Sequence, residues 1–286
     1  MSNIRKQIQE ALRKNLLILK PQVKMREDYP CYLSDHKDNL LEGVTADMWS
    51  QIIEELGGGS GGELKARLWK RRNVSKPIPP KFDAVYSSSA LAINTFAPIP
   101  VNSLKLCGQS GFQEMRFEKK LNTGFRGVPN LDLFLKNDTH VIACESKFLE
   151  YLEPSEQEIQ SCYNHDKFPL ANDPQWLKAS KDYNGQNTNI PAAQLVKHYF
   201  GIKSDKEKDT FAGRKVILLY LFWEPVNATD DVFKVHRQEI KTFAEQVNNS
   251  SVEFRYMSYP ELWNEWERLG YKAHVEKLRK RYLVTV

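Results

Sequence analysis

Two acids and a lysine stand close together near the middle of the chain: Asp132, Glu145 thirteen positions later, and Lys147 two positions after that. Facing carboxylates repel unless a cation lies between them. A hard ion such as Mg²⁺ takes one or two protein carboxylates and fills its remaining positions with water and phosphate oxygens. Such an ion acidifies water and neutralises a phosphate, while an adjacent ammonium orients the attacking water or stabilises the developing charge. The set therefore suits phosphodiester hydrolysis. A bare Glu-x-Lys triplet is more often a solvated strand face; this one follows Pro129-Asn130-Leu131-Asp132 and sits between apolar runs, which sets it apart.

To face each other, these residues need a hairpin. Asn130 to Leu135 and His140 to Phe148 flank a polar turn at Asn137 to Thr139, and read as two strands. A turn centred between Asp138 and Thr139 puts Asp132 directly opposite Glu145, with Cβ atoms roughly 4.5–5.5 Å apart. Lys147 then shares the face of Glu145, because side chains at i and i+2 point the same way. The same pairing implies that removing one charge, as in Glu145→Gln, stabilises the metal-free protein by about 1 kcal/mol.

Other elements must carry this hairpin. Residues 113–121 alternate, with Met115, Phe117 and Leu121 on one side and Glu114, Arg116, Glu118 and Lys120 on the other, which predicts a strand. Ala84 to Phe96 reads as a buried helix. Val216 to Trp223 is an apolar run of eight residues, a strand covered on both faces. An amphipathic helix over 230–248, with Val232, Val235, Ile240, Phe243 and Val247 as its stripe, and a strand over Val252–Met257 complete a right-handed parallel crossover. Near the N-terminus, Ile4, Ile8, Leu12 and Leu16 mark a helix over 2–20, and 46–56 forms a second one. The Gly/Ser run Gly57 to Gly62 leads into Glu63, which is expected to open a further helix.

The 286 residues carry 41% hydrophobic and 27% charged side chains, an ordinary globular composition. Eight apolar residues in a row fall far short of the roughly 20 that span a bilayer, so no membrane segment is expected and the reading is cytoplasmic. Cys31, Cys107, Cys144 and Cys162 show no Cys-x-x-Cys spacing and read as small buried hydrophobes. The net charge of +5 is clustered in residues 1–26, 63–82 (including Lys70, Arg71 and Arg72) and 272–281. Each patch alone reads equally well as a solvated face, and three together lean toward a polyanion. Trp263 and Trp266 read as helix packing; His165, His236 and His274 read as surface or core residues.

Pro129-Asn130-Leu131-Asp132 followed by Glu145-Ser146-Lys147 resembles the PD-(D/E)xK nuclease superfamily, with Asn130 and Leu131 intervening where the family start has Pro-Asp. Gly59 to Leu64, Ser88 to Ala92 with Asn94 and Phe96, Phe117-Glu118, Glu145 to Phe148 with Glu150 to Leu152, and Gln194 to His198 are similar to a group of bacterial restriction-endonuclease-like proteins, over roughly residues 57–260. The resemblance implies an α/β fold with an α-β-β-β-α-β core, a mixed sheet flanked by helices. The expected layout is an N-terminal helical extension over 1–56 and a nuclease domain over 57–286. It further implies Mg²⁺, with Mn²⁺ as a substitute, held by Asp132, Glu145 and the Ser146 carbonyl. Glu63 or Glu118 would be a supplementary carboxylate. Gln194 and His198, one turn apart on a helix, and Lys197 between them are expected to contact DNA, although a core or capping role fits the first two as well. The expected function is a Mg²⁺-dependent DNA endonuclease in restriction or defence. A non-catalytic nucleic-acid-binding module and an RNA-directed nuclease are the rivals, and a homodimer is an assembly the sequence leaves open.

Overall fold

The computed structural model describes residues 3–57, 62–71, 74–123, 128–160, 173–204 and 207–286. Along the chain run α1 (Asn3–Leu19), α2 (Ala46–Gly57), β1 (Arg67–Arg71), β2 (Val74–Ile78), α3 (Ser88–Phe96), β3 (Glu114–Lys120), β4 (Asn130–Lys136) and β5 (His140–Lys147). They are followed by α4 (Pro174–Tyr183), α5 (Ala192–Ile202), β6 (Lys215–Phe222), α6 (Asp231–Gln246), β7 (Val252–Ser258), α7 (Tyr259–Arg268) and α8 (Lys272–Tyr282). Two compact units result, one of residues 1–100, 223–227 and 260–286, the other of 101–222 and 228–259. No described helix is long and apolar enough to cross a membrane.

In the first unit α1 buries Ile8, Leu12 and Leu16, as its spacing requires. Trp263 and Trp266 are fully buried, with Trp266 edge-on to Phe96 at 5.5 Å, so both pack rather than stack on bases. Arg281 of α8 is fully buried as well. It donates to the backbone oxygens of Leu12 (3.1 Å) and Val85 (3.0 Å) and to Asn39 Oδ1 (3.1 Å). The expected helix after the glycines is absent. Lys81 N–H donates to Gly62 O and Phe82 N–H to Glu63 O, and the chain between them folds into the antiparallel hairpin β1–β2 with Arg67 opposite Ile78. Backbone groups committed across a hairpin are not available to a helix. The helix expected from Ala84 begins at Ser88, where Ser87 caps it by accepting the Ala90 N–H.

The second unit is built on a five-stranded mixed sheet in the order β7-β6-β5-β4-β3, in which β5, β6 and β7 are parallel and β3 and β4 run antiparallel to their neighbours. Strand β6 lies between two parallel partners and is buried along all but its first residue, as its unbroken apolar sequence demands. Helices α4, α5 and α6 pack on one face through Trp176, Leu195, Tyr199, Ile240 and Phe243, against Phe134, Val141, Ala143, Leu218 and Tyr220. The stripe of α6 is rotated from the expected one at its N-terminal end. Phe233 and His236 face inward, while Val235 is 46% exposed. Asp230, the N-cap of α6, accepts the Val232 N–H, which starts the helix one residue later than the apolar spacing alone suggests.

Asn137 sets the hairpin. Its Oδ1 accepts the N–H groups of Thr139 (2.9 Å) and His140 (2.7 Å), and its own N–H donates to His140 O, closing a two-residue loop. The register follows: Lys136 lies opposite Val141, Leu135 opposite Ile142, Phe134 opposite Ala143 and Leu133 opposite Cys144. Cys31, Cys107 and Cys144 are free thiols; Cys162 and His165 lie outside the described residues.

Candidate active site

One step beyond Leu133 and Cys144 the same register brings Asp132 to Glu145, on the sheet face covered by α5. Here the ladder gives way to a side chain. Hydrogen-bonded pairs alternate in an antiparallel ladder, and the bond between Asn137 and His140 makes Leu131 and Ser146 the next such pair. Instead, Asp132 Oδ2 accepts the Ser146 N–H at 2.6 Å. Because N–H and C=O of one strand residue point to the same side, the Ser146 carbonyl is aimed at this opening too. On the opposite face, Ser146 Oγ is 2.7 Å from the buried hydroxyl of Tyr259.

Glu145 is 1% exposed, and each of its oxygens meets a base. Lys147 Nζ is 2.5 Å from Oε1, and His198 Nε2 is 2.5 Å from Oε2. Burial alone would raise the Glu145 pKa; Lys147 and His198 together outweigh it and hold the carboxylate down at about 2. Burial likewise opposes the charge of Lys147, and its acidic neighbours, Glu145 first, win and raise its pKa. Asp132 goes the other way. Burial raises its pKa well above the ordinary value, and Glu145 and then Glu118 push it further. The repulsion between the facing acids therefore falls on Asp132.

This cluster fits a divalent cation in its donor chemistry. Two carboxylates and a carbonyl are hard oxygen donors of the kind Mg²⁺ takes, and the raised Asp132 marks negative charge short of positive partners. Among the described residues no group of three or more His, Cys, Asp and Glu side chains is gathered as a ready-made metal cage, so water and phosphate oxygens would complete such a shell.

A family model described as Restriction Endonuclease associating with ARP matches residues 6–283. The chain belongs to the REase-ARP family. No match was found among curated proteins, and none among solved structures. Membership makes this a restriction-endonuclease-like protein, which implies interaction with DNA.

The other expected site residues of this REase-ARP member fall in different places. Glu118 lies on β3, between the pairs Phe117–Leu133 and Lys119–Leu131, at a left-handed φ of 51°, and its charge acts on Asp132. Glu63 belongs to the first unit, where Oε2 accepts from Ser89 Oγ (3.0 Å) and Oε1 is 3.2 Å from Lys81 Nζ. Lys70 and Arg71 lie on β1, and Arg72 is outside the described residues. On α5 Gln194 is exposed and Lys197 half-buried, whereas His198 is 2% exposed and turned onto Glu145. In the C-terminal basic cluster, Lys277, Arg279 and Lys280 pair with Glu42, Glu267 and Glu276.

Two contacts escaped the sequence reading. Tyr259, more than a hundred residues from Ser146, carried no signal of its partner. His198 carried one: it lies among Leu195, Val196, Tyr199 and Ile202 on the buried side of α5, and a buried imidazole needs a polar partner.

Proposed function

We propose that this REase-ARP member is a divalent-metal-dependent endonuclease of the PD-(D/E)xK kind that hydrolyses DNA phosphodiester bonds, with β3-β4-β5-α5-β6 of the second unit in its restriction-endonuclease-like core. One observation carries the proposal: Asp132, Glu145 and Lys147 converge at the end of the β4–β5 ladder, tied by the Ser146 N–H at 2.6 Å and the Lys147–Glu145 pair at 2.5 Å. Asp132, Glu145 and the Ser146 carbonyl would hold Mg²⁺ or Mn²⁺, with Glu118 as the supplementary carboxylate. Such an ion, when bound, supplies an acidified water and charge neutralisation at the phosphate. Lys147, kept charged by Glu145, orients the attacking water and steadies the negative charge that grows on the phosphate oxygens. Lys70, Arg71, Arg72, Gln194 and Lys197 are the proposed DNA contacts, and the family description adds ARP as a partner. A non-catalytic DNA-binding module is the second reading, and it draws on both Glu145 oxygens being engaged by neighbouring side chains.

Cleavage decides between them. Purified protein with Mg²⁺ or Mn²⁺ is expected to cut a mixed DNA panel, and Asp132→Ala is expected to lower the rate by at least about 10³-fold, given the several kcal/mol a metal contributes to transition-state charge. Cutting by Asp132→Ala at the wild-type rate, or none by the wild type in either metal, would sink the nuclease reading.

A further inference from the structure

His198 reaches the carboxylate pair from helix α5 rather than from the sheet, and its Nε2 lies 2.5 Å from Glu145 Oε2. A carboxylate oxygen accepts, so in this contact Nε2 is the donor. The other ring nitrogen, Nδ1, is buried and has no hydrogen-bond partner among the described residues. An unpartnered buried ring nitrogen costs stability. A side chain there only for packing would be apolar, so the bond to Glu145 is what the imidazole supplies.

The helix that carries this ring is fixed on two sides. Tyr199, the next residue, stacks on Trp176 with centroids 4.4 Å apart and donates to Asp173 at 2.6 Å. Gly201 is where the helix meets the segments leading out of β3 and into β4. A Cβ there would stand 2.8 Å from the Leu121 side chain and 3.2 Å from Pro129 Cγ, so only glycine allows this approach. Three residues beyond Pro129 is Asp132. The seat of α5, and with it the reach of His198, is thereby referenced to the strand that carries the first carboxylate.

We infer that His198 is a positioning residue rather than a phosphate contact: by holding Oε2 it fixes Glu145 with Oε1 toward Lys147, and so sets the affinity of the site for its divalent cation. This rests on the nuclease reading above. Groups that orient metal ligands typically change metal affinity or activity by 10–100-fold when lost.

The test uses the full chain and Mn²⁺ alone, with binding followed by the electron paramagnetic resonance of free Mn²⁺. His198→Phe keeps the ring shape and lacks the donor; it is expected to weaken Mn²⁺ binding by about 10–100-fold and to raise the Mn²⁺ needed for half-maximal cleavage in proportion. DNA affinity in chelator is expected to stay at the wild-type value. His198→Gln, which places an N–H near the position of Nε2, is expected to recover most of the loss, and His198→Asn, whose amide falls short of Glu145, is expected not to. If the phenylalanine variant fails to fold, the Gln and Asn pair carries the test. Wild-type Mn²⁺ affinity in His198→Phe, equal losses in Gln and Asn, or a loss of DNA affinity in chelator with Mn²⁺ binding intact would each overturn the inference while leaving the nuclease reading standing. A wild type that neither binds Mn²⁺ nor cuts DNA overturns both.

Discussion

Arg281 in the first unit and Glu145 in the second are both charges removed from water, and they are held in opposite ways. Arg281 gives its hydrogens to two backbone carbonyls and an asparagine side chain, all neutral groups fixed by the fold. Glu145 is held by Lys147 and His198, side chains that are themselves bases, beside a second acid whose pKa is pushed up. Neutral, fixed partners tie the Arg281 guanidinium into the fold. Basic partners around clustered acids leave a charge imbalance that an incoming cation can relieve. The difference separates a buried charge that builds the fold from one that can take part in chemistry.

The comparison breaks most visibly at Arg281. Arg281→Leu strips three buried acceptors of their donors, at about 1–3 kcal/mol each, so a loss of at least about 3 kcal/mol is expected in a guanidinium titration. A loss under about 1 kcal/mol would mean that the neutral oxygens are not what holds the arginine.

At the site the two carboxylates should respond with opposite signs in chelator. Glu145→Gln leaves Lys147 and His198 facing a neutral amide in a buried place, and a loss of about 2 kcal/mol is expected at pH 7. This reverses the expectation drawn from the facing acids alone, because the structure gives Glu145 two basic partners and leaves the repulsion on Asp132. A carboxyl whose pKa is raised by folding destabilises the folded chain as the pH rises above its unfolded pKa, since unfolding lets it ionise freely. Asp132→Asn removes that effect and can still accept the Ser146 N–H, so it is expected to melt at or above the wild-type temperature. Thermal melts of both variants in chelator check the pair, and matching shifts would show that burden and support are shared evenly.

The smallest effect near neutral pH lies on helix α6. His236 stacks on Tyr151 at 3.9 Å and meets the Tyr220 hydroxyl at 2.9 Å; burial, with Arg237 nearby, lowers its pKa from 6.5 to about 3. The unfolded histidine therefore binds a proton that the folded one refuses, and stability falls as the pH drops from 6.5 toward about 3. The loss is under about 1 kcal/mol at pH 6 and approaches about 1.4 kcal/mol per pH unit below pH 5.5. His236→Phe keeps the stack and is expected to flatten this slope. Parallel stability–pH curves for the two proteins would show that His236 does not remain neutral in the fold.

Local signals account for what the sequence made legible. Asn137 and the polar turn, the apolar runs on either side and the unbroken Val216–Trp223 run lie within short windows, and from them came the hairpin, its register and the central parallel strand. Glu63 was misread because the partners of its segment, Lys81 and Phe82, are nearly twenty residues away, beyond any periodicity. The same holds for His198, whose partner Glu145 is 53 residues distant, and for Arg281, whose acceptors come from three separate stretches. The α6 stripe was misplaced by a smaller margin, since a histidine at 236 looks polar in a list and turns inward when aromatic rings surround it.

The loop at Asn137 also acts as a ruler. It fixes the count of residues on each arm of the hairpin, and that count alone decides that position 132 meets position 145 on the α5 side. Side chains alternate faces at every step along a strand, so a loop longer by one residue would transfer Asp132 to the opposite surface while β5 stayed where it was. Nearly every apolar contact of the far strand would change hands with it. In this hairpin the spacing inherited through the turn is under as tight a constraint as the acids themselves, even though Asp138 and Thr139 touch neither of them.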